Sequence, residues 1–439
     1  MNNKVCVMMM AANEEAVIEK CLNSIKPIAG MIVFQNNSKN PDRTCSIVKE
    51  WCTKNKIDLH LYDLINEGTW DPALHRNDVF RVASKVSTFE WLFRMDCDEW
   101  CTFDGEMDLS KQKDYDILSP RNVIGSGLTA FLRSAFYRKG IEGGWPEGQV
   151  AHEEFHSKQN LKHGHIKGIS VHALTKSTGL HDDKDVFKKY YKEALGLERQ
   201  VLAEFDGKKL DTYHLWYAAR SYVDIIDKRY RKYFLSEDHF KHCMERSIYL
   251  FKTFLKENKM EEKDIYSEKY GYINSDRTWL DYGYLAYVNI YYLSRSIGKS
   301  FLNSVQHLHS ASILNPWRAE GLNIMREHLY NIEDWYSLFG VTSKMKAIKN
   351  PFPRNGLFVD SMAYYDHNPL ILDNRSLSAY WIARKTDDKQ EKTYYYKESI
   401  KDIEDIFKSK RLSNSISSST RKRLEDNLAI SQDHFKRLL

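Results

Sequence analysis

Two aspartates set one residue apart, Asp96 and Asp98, close the apolar run 89–95 (FEWLFRM). Hard oxygen ligands placed where a buried strand meets solvent suit a divalent cation and a phosphate-bearing substrate. In an extended segment the two side chains point the same way, so they can share one ion or divide an ion and a sugar hydroxyl between them. Cys97, between them, is expected on the opposite face, in the core. A second cluster, His152-Glu153-Glu154-Phe155-His156, satisfies the H-E-x-x-H zinc-ligand spacing. Zinc chemistry there needs a helix that brings both histidines to one face and a third ligand downstream. The preceding GGWPEG argues for a loop or short strand, and His163 and His165, the available third ligands, lack the right spacing. Glu153 or Glu154 can instead act as a base that takes a proton from an attacking hydroxyl.

These residues need a scaffold, and the first 95 residues supply one. Val5–Met10 is a continuous apolar run, as expected of a strand covered on both faces. Asn13 is placed to cap a helix carrying Glu14 and Glu15 in its first turn, with an apolar stripe at Ile18, Cys21, Leu22 and Ile25. Met31–Phe34 reads as a second strand, and Asn40-Pro41 as the start of a helix with its stripe at Thr44, Ile47, Val48 and Trp51. Leu59–Leu64, Pro72–Lys85 and Phe89–Met95 follow as strand, helix and strand. Such alternation predicts a parallel, doubly wound sheet whose ligands bind beyond the carboxyl ends of its strands. Asp96 and Asp98 stand at one of those ends.

Composition bounds the rest. A chain of 439 residues with 42% hydrophobic content forms two or three folded domains. Lys+Arg at 65 against Asp+Glu at 60, without a dominant basic block, argues against a nucleic-acid partner. Seven cysteines without paired spacing fit a reducing compartment. The six apolar residues after Lys4 are too short for a signal segment, and no run approaches a membrane span. The expected location is the cytoplasm.

At this point the segments resemble the family 2 glycosyltransferases, nucleotide-sugar enzymes of the GT-A fold. MMMAANEEAVIEKCLNSI looks like their opening strand, Asn-Glu turn and helix, and VFQNNSKNPDRT like the second strand and polar turn. ALHRND precedes a helix leading to RMDCDEW, which matches the aspartate-any-aspartate signature. GQVAHEEFH is similar to the Val-His-Glu element of a subgroup, and GISVHAL to its strand ending in histidine. The resemblance implies that Asp96 contacts ribose or metal, that Asp98 binds Mg2+ or Mn2+ bridging the diphosphate, and that His172 completes the metal shell, with His181 or His152 as substitutes. It places Ala11, Asn13 and Asn36 in the base pocket, Arg76 near the nucleotide, and Glu153 as base in an inverting transfer to a glycan or protein acceptor. Where relatives carry a base-reading acid, Gln35-Asn36-Asn37 supplies only amides. The donor nucleotide is therefore open, with UDP-sugars favoured.

From about residue 184 strand signals give way to aromatic-rich amphipathic segments: Tyr213–Tyr222, Leu280–Ile297, Val305–Leu314, Pro316–Tyr330 and Ile332–Met345. Their spacing fits a tetratricopeptide-like array, and NPWRAEGL and the segment from Pro351 to Ala383 resemble the helical extension of some glycosyltransferases. The expected organisation is a catalytic GT-A domain over 1–183 and a helical repeat domain over 184–439. Such an array holds a protein partner, a second copy or a long acceptor. Two rival readings remain: a zinc metallopeptidase built on His152 and His156, and a non-catalytic scaffold with a degenerate first domain.

Overall fold

The computed structural model describes residues 3–65, 72–124, 129–146, 155–173, 183–204, 211–226, 228–261, 277–348 and 359–439. The chain divides into two compact units, Met1–Asn258 and Lys259–Leu439.

The first unit opens with β1 (Val5–Ala11), α1 (Ile18–Ile25), β2 (Ala29–Asn36), α2 (Thr44–Asn55), β3 (Asp58–Asp63), α3 (Pro72–Val86) and β4 (Trp91–Arg94). Strands β3, β2, β1 and β4 lie side by side in that order and all run parallel. The alternation read from sequence therefore yields the expected parallel core. Beyond β4 the sheet changes character. Antiparallel β8 (Phe136–Arg138) joins β4 to β6 (Ile117–Ile124), which pairs antiparallel with β7 (Thr129–Leu132) and parallel with β9 (His163–Ala173). Strand β5 (Glu99–Thr102), directly after the aspartates, pairs antiparallel with β9. The sheet is thus mixed, and the second half of β9 is anchored on both sides.

Two cores cover the sheet. Ile18, Cys21, Leu22 and Ile25 of α1, the stripe expected from sequence, pack with α2 against Val5, Val7, Phe93 and Met95. Burying each such Leu or Ile is worth about 1.5–3 kcal/mol. On the other face α3 sets Ala73, Val79, Phe80 and Ala83 against Cys6, Met8, Val33 and Leu92. Alternation then assigns the polar groups: Gln35 continues the Val33 face and Arg94 the Leu92 face, so both look toward α3.

Helix starts differ from expectation at both polar turns. Helix α1 begins at Ile18 without a side-chain cap, and Asn13 takes a left-handed conformation at φ 64°. Its Oδ1 instead accepts from the Asp42 backbone N–H at 3.1 Å. Helix α2 starts at Thr44, not at Pro41, because the Asp42 carboxylate accepts from the Thr44 backbone N–H at 2.8 Å. The Glu14 and Glu15 backbone N–H groups donate to Thr44 Oγ1 and Asp42 Oδ2, at 2.8 and 3.1 Å. The two loops are stitched to one another at the carboxyl end of the sheet.

Helices α4 (Asp183–Glu204), α5 (Thr212–Ile225) and α6 (Glu237–Glu257) complete this unit, α5 packing on both of the others. Strands thus give way to helices near residue 184, as expected, while the compact unit continues to Asn258.

Among the described residues the second unit is helical apart from Val359–Asp360. It runs through α7 (Arg277–Ser296), α8 (Phe301–Leu314), α9 (Glu320–Asn331), α10 (Trp335–Ala347), α11 (Pro369–Lys385), α12 (Lys389–Lys408), α13 (Lys410–Ser415) and α14 (Ser418–Lys436). From α7 to α12 each helix packs on the next, as in a repeat array, and α14 returns to α12. Pro316 was expected at a helix start. It falls in a turn instead, because Asn315 Oδ1 accepts from the Trp317 N–H at 3.4 Å and α9 begins only at Glu320. Arg318 of the NPWRAE segment is buried at 1% exposure, bonded to Asp281 at 3.1 Å and Glu320 at 2.8 Å, with Tyr284 under its guanidinium.

Candidate functional site

Three residues form a row across the carboxyl ends of the parallel strands. Ala11 of β1 is in register with Asn36 of β2, and Asn36 with Asp63 of β3. Asn36 is buried and donates its amide to Asp63 Oδ1 at 2.7 Å, while its own Oδ1 accepts from the Ser38 backbone N–H at 3.2 Å. Asp63 is exposed. An acid therefore stands beside the amide turn, one strand over from where the resemblance looked for it.

Beneath this row lies a polar layer against α3. Gln35 donates to Tyr62 Oη and Asp78 Oδ2, both at 2.9 Å, and Tyr62 donates to the same Asp78 oxygen at 2.8 Å. Burial favours a protonated Asp78, but hydrogen bonds from Arg81, Tyr62 and Gln35 outweigh it and hold the carboxyl below its ordinary range. Asn37 Nδ2 donates to Gln35 Oε1 at 2.8 Å and lies 2.8 Å from His75 Nδ1. The Gln35 amide and Asn37 Nδ2 are thus engaged within the protein, while Asn37 Oδ1 is buried without a hydrogen-bond partner among the described residues.

Asp96 and Asp98 follow β4 at the same end of the sheet, and their environments differ. Burial works to raise the Asp96 carboxyl, but Arg76, Arg94, Arg133 and Lys189 hold it below its ordinary value. Asp98 is pushed up to about 6, first by burial and then by Asp96, Glu99 and Glu14. Crowded carboxylates of this kind are relieved by a cation. Cys97 points away, buried in the α1–α2 core with its thiol 3.6 Å from the Met10 carbonyl.

The support of Asp96 comes from residues that the sequence reading missed. Buried Glu99 accepts from the Asp96 backbone N–H at 3.1 Å and pairs with Arg133 at 2.7 Å, and Arg133 lies 3.7 Å from Asp96 Oδ2. Arg94, the last residue of β4, precedes Asp96 by two residues and acts on its carboxyl. The available signal was a lone arginine inside an otherwise apolar buried run.

His172 sits elsewhere in the unit's bonding pattern. It opposes Trp100 across the β5–β9 pair, stacks on that ring at 5.3 Å between centroids, and has Nε2 2.8 Å from Thr102 Oγ1. Burial, Arg121 and Lys20 lower its pKa; the acid acting on it is Asp104, not Asp96 or Asp98. Lys20 lies 3.3 Å above the Trp100 ring. Glu153, Glu154, His152 and His181 lie outside the described residues. His156 is described: it forms an isolated bridge with Gly144, the two backbone N–H···O bonds being 2.8 and 2.9 Å. Its extended pairing denies the zinc pattern the helix it needs at its second histidine.

Among the described residues no group of three His, Cys, Asp or Glu side chains forms a ready-made metal cage. Asp98 with Asp96 still fits a hard cation that takes one or two protein carboxylates and completes its shell with substrate phosphates and water, as Mg2+ does. Among the same residues no helix is long and apolar enough to cross a membrane.

No known protein-family profile matches the chain. No curated protein sequence matches it either. Among solved structures it is similar to the mannosyltransferase PcManGT from Pyrobaculum calidifontis in complex with GDP-Man and Mn2+, at 13% identity, covering 56% of this chain and 87% of that one, with a TM-score of 0.33. It is also similar to MamA, at 12% identity, covering 52% of this chain and 98% of that one, with a TM-score of 0.28. The architecture is a mixed α/β domain followed by a helical region in which successive helices pack on one another.

Proposed function

We propose that the first unit is a metal-dependent glycosyltransferase that moves a sugar from a nucleotide-diphosphate donor to a glycan or protein acceptor, with inversion. One observation carries this reading: the Ala11–Asn36–Asp63 row and the Asp96–Asp98 pair stand at the same carboxyl end of one parallel sheet. That edge is where open α/β sheets bind nucleotides.

In this reading the base lies over Ala11 and Asn36, and Asp63 supplies the carboxylate that the amide turn lacks. Asn13 shapes the pocket wall through its bond to the Asp42 backbone. Asp96, steadied by Arg133 and Glu99, holds a ribose or sugar hydroxyl, with Arg76 nearby. Asp98 is the protein ligand to Mg2+ or Mn2+, which supplies Lewis-acid stabilisation of the leaving diphosphate. Glu153, with Glu154 as its neighbour, takes the acceptor's proton on the opposite face. His172 we leave out of the ion's shell, since Thr102 and Trp100 already engage it. The helical unit then serves the acceptor, a protein partner or a second copy of the chain.

A thermal-shift panel of UDP-, GDP-, CMP- and dTDP-sugars, with and without Mn2+, tests the reading, because a ligand that binds the native state raises its melting temperature. A metal-dependent shift with one nucleotide class is expected. No response to any donor would overturn it.

A further inference from the structure

The guanidinium of Arg94 is a buried cation with nothing to hold. The residue is 8% exposed, its Nε has no hydrogen-bond partner, and its guanidinium forms no hydrogen bond or ion pair with any described residue. A buried, unpaired charge is among the costliest features a fold can carry. Its surroundings increase that cost. Arg133 and Arg76 are close enough to repel it, while the Tyr137 phenol and Asp96 act in its favour. Arg133 is itself committed, to Glu99 at 2.7 Å and more loosely to Asp96 at 3.7 Å. Arg76, Arg94, Arg133 and Lys189 all act on Asp96, and of Arg94 and Arg133 only Arg133 has a carboxylate within ion-pair distance among the described residues.

We propose that Arg94 anchors an oxyanion pocket, formed with Arg133 beside Asp96, that takes a phosphate or carboxylate group of the substrate without help from a metal ion. The planar fork of a guanidinium pairs two oxygens of such a group at once, which a point charge does not. Position fits the role. Arg94 ends β4 in register with Met8, on the face that Leu92 and Met8 turn toward α3, so the pocket lies on the α3 side of the sheet, two residues before Asp96. Substrate binding then has two separable parts, one through the ion at Asp98 and one through the arginines. The inference rests on reading this edge as the donor site, and it adds the source of the second part: a phosphate of the diphosphate, or the carboxylate of an acidic sugar.

Calorimetric titration of the full-length protein in EDTA tests this with inorganic pyrophosphate, glucuronate and glucose as probes. Pyrophosphate or glucuronate is expected to bind, glucose not, and whichever anion binds identifies the source. Arg94→Met should lose roughly tenfold or more of that affinity, the scale of a charge-assisted hydrogen bond, while the ligand-free variant melts no lower than the wild type because an unpaired buried charge has been removed. Should that variant not fold, Arg94→Lys keeps the charge without the fork and is expected to show the same loss. Absence of anion binding in EDTA, or equal binding by the variants, would overturn the pocket. A nucleotide-sugar that binds with Mn2+ in wild type and Arg94→Met alike would sink the pocket and leave the transferase reading standing. Pyrophosphate binding through Arg94 with no donor response would do the reverse.

Discussion

Asn36 donates its side-chain amide to Asp63 at 2.7 Å, and the two are register partners at the ends of neighbouring parallel strands. The bond fixes which way the amide faces and brings an exposed carboxylate to the edge where a base is expected. Asp63→Asn should therefore weaken nucleotide binding by roughly tenfold, the worth of one hydrogen bond to a charged group. The melting temperature should change little, since Asp63 is exposed. Titration with the nucleoside diphosphate that the donor panel selects reads both.

Asp78 ties Gln35 and Tyr62 to α3, and its carboxyl is held below the ordinary range. A carboxyl depressed in the folded state contributes stability that is present above its unfolded pKa and lost as pH falls through the folded one. Asp78→Asn is expected to cost about 1.5–3 kcal/mol at neutral pH. The gap from wild type should close as pH drops below about 4. Denaturant unfolding at several pH values measures it, and a gap independent of pH would contradict the assignment.

Gly168 lies in β9 at φ 80°, and a Cβ there would stand 2.7 Å from backbone atoms of Glu106 and Met107. Gly168→Ala should destabilise the first unit by more than about 1 kcal/mol. It should also disturb the Trp100–His172 stack four residues on, which Trp100 fluorescence would report as a red shift.

Arg318 is buried between Asp281 and Glu320. Arg318→Ala leaves both acids without their cation and should cost about 3–5 kcal/mol. Arg318→Met with Asp281→Leu should recover part of the loss, because that pair leaves together while Glu320 is still left without its cation. Calorimetry of the full chain would follow the helical unit's transition.

Much of the parallel core was legible, for a physical reason. Continuous apolar runs such as Val5–Met10 and stripes such as Ile18, Cys21, Leu22 and Ile25 report local burial, and burial is what built β1 and α1. Turn chemistry was less legible. Asn13 and Pro41 carry strong helix-start signals, yet the bonds that decide the starts join Asn13 to Asp42 and Glu14 to Thr44, about thirty residues apart. The antiparallel half of the sheet was missed because β7 and β8 are only four and three residues long, and β6 (ILSPRNVI) carries Ser119, Pro120, Arg121 and Asn122 in place of a continuous apolar run. The aspartate pair was legible from spacing, but not the unequal treatment of its two members. That difference depends on Arg94, Arg133 and Glu99, which converge only in the fold.

The most direct measurement is calorimetric titration of the selected nucleotide-sugar into wild type and Asp98→Ala, each with Mn2+ and with EDTA. Wild type should bind substantially tighter with Mn2+, and Asp98→Ala should erase that gain while its melting temperature stays at or above wild type, since a crowded carboxylate has been removed. An undiminished Mn2+ effect in Asp98→Ala would contradict the assignment of the ion to this aspartate.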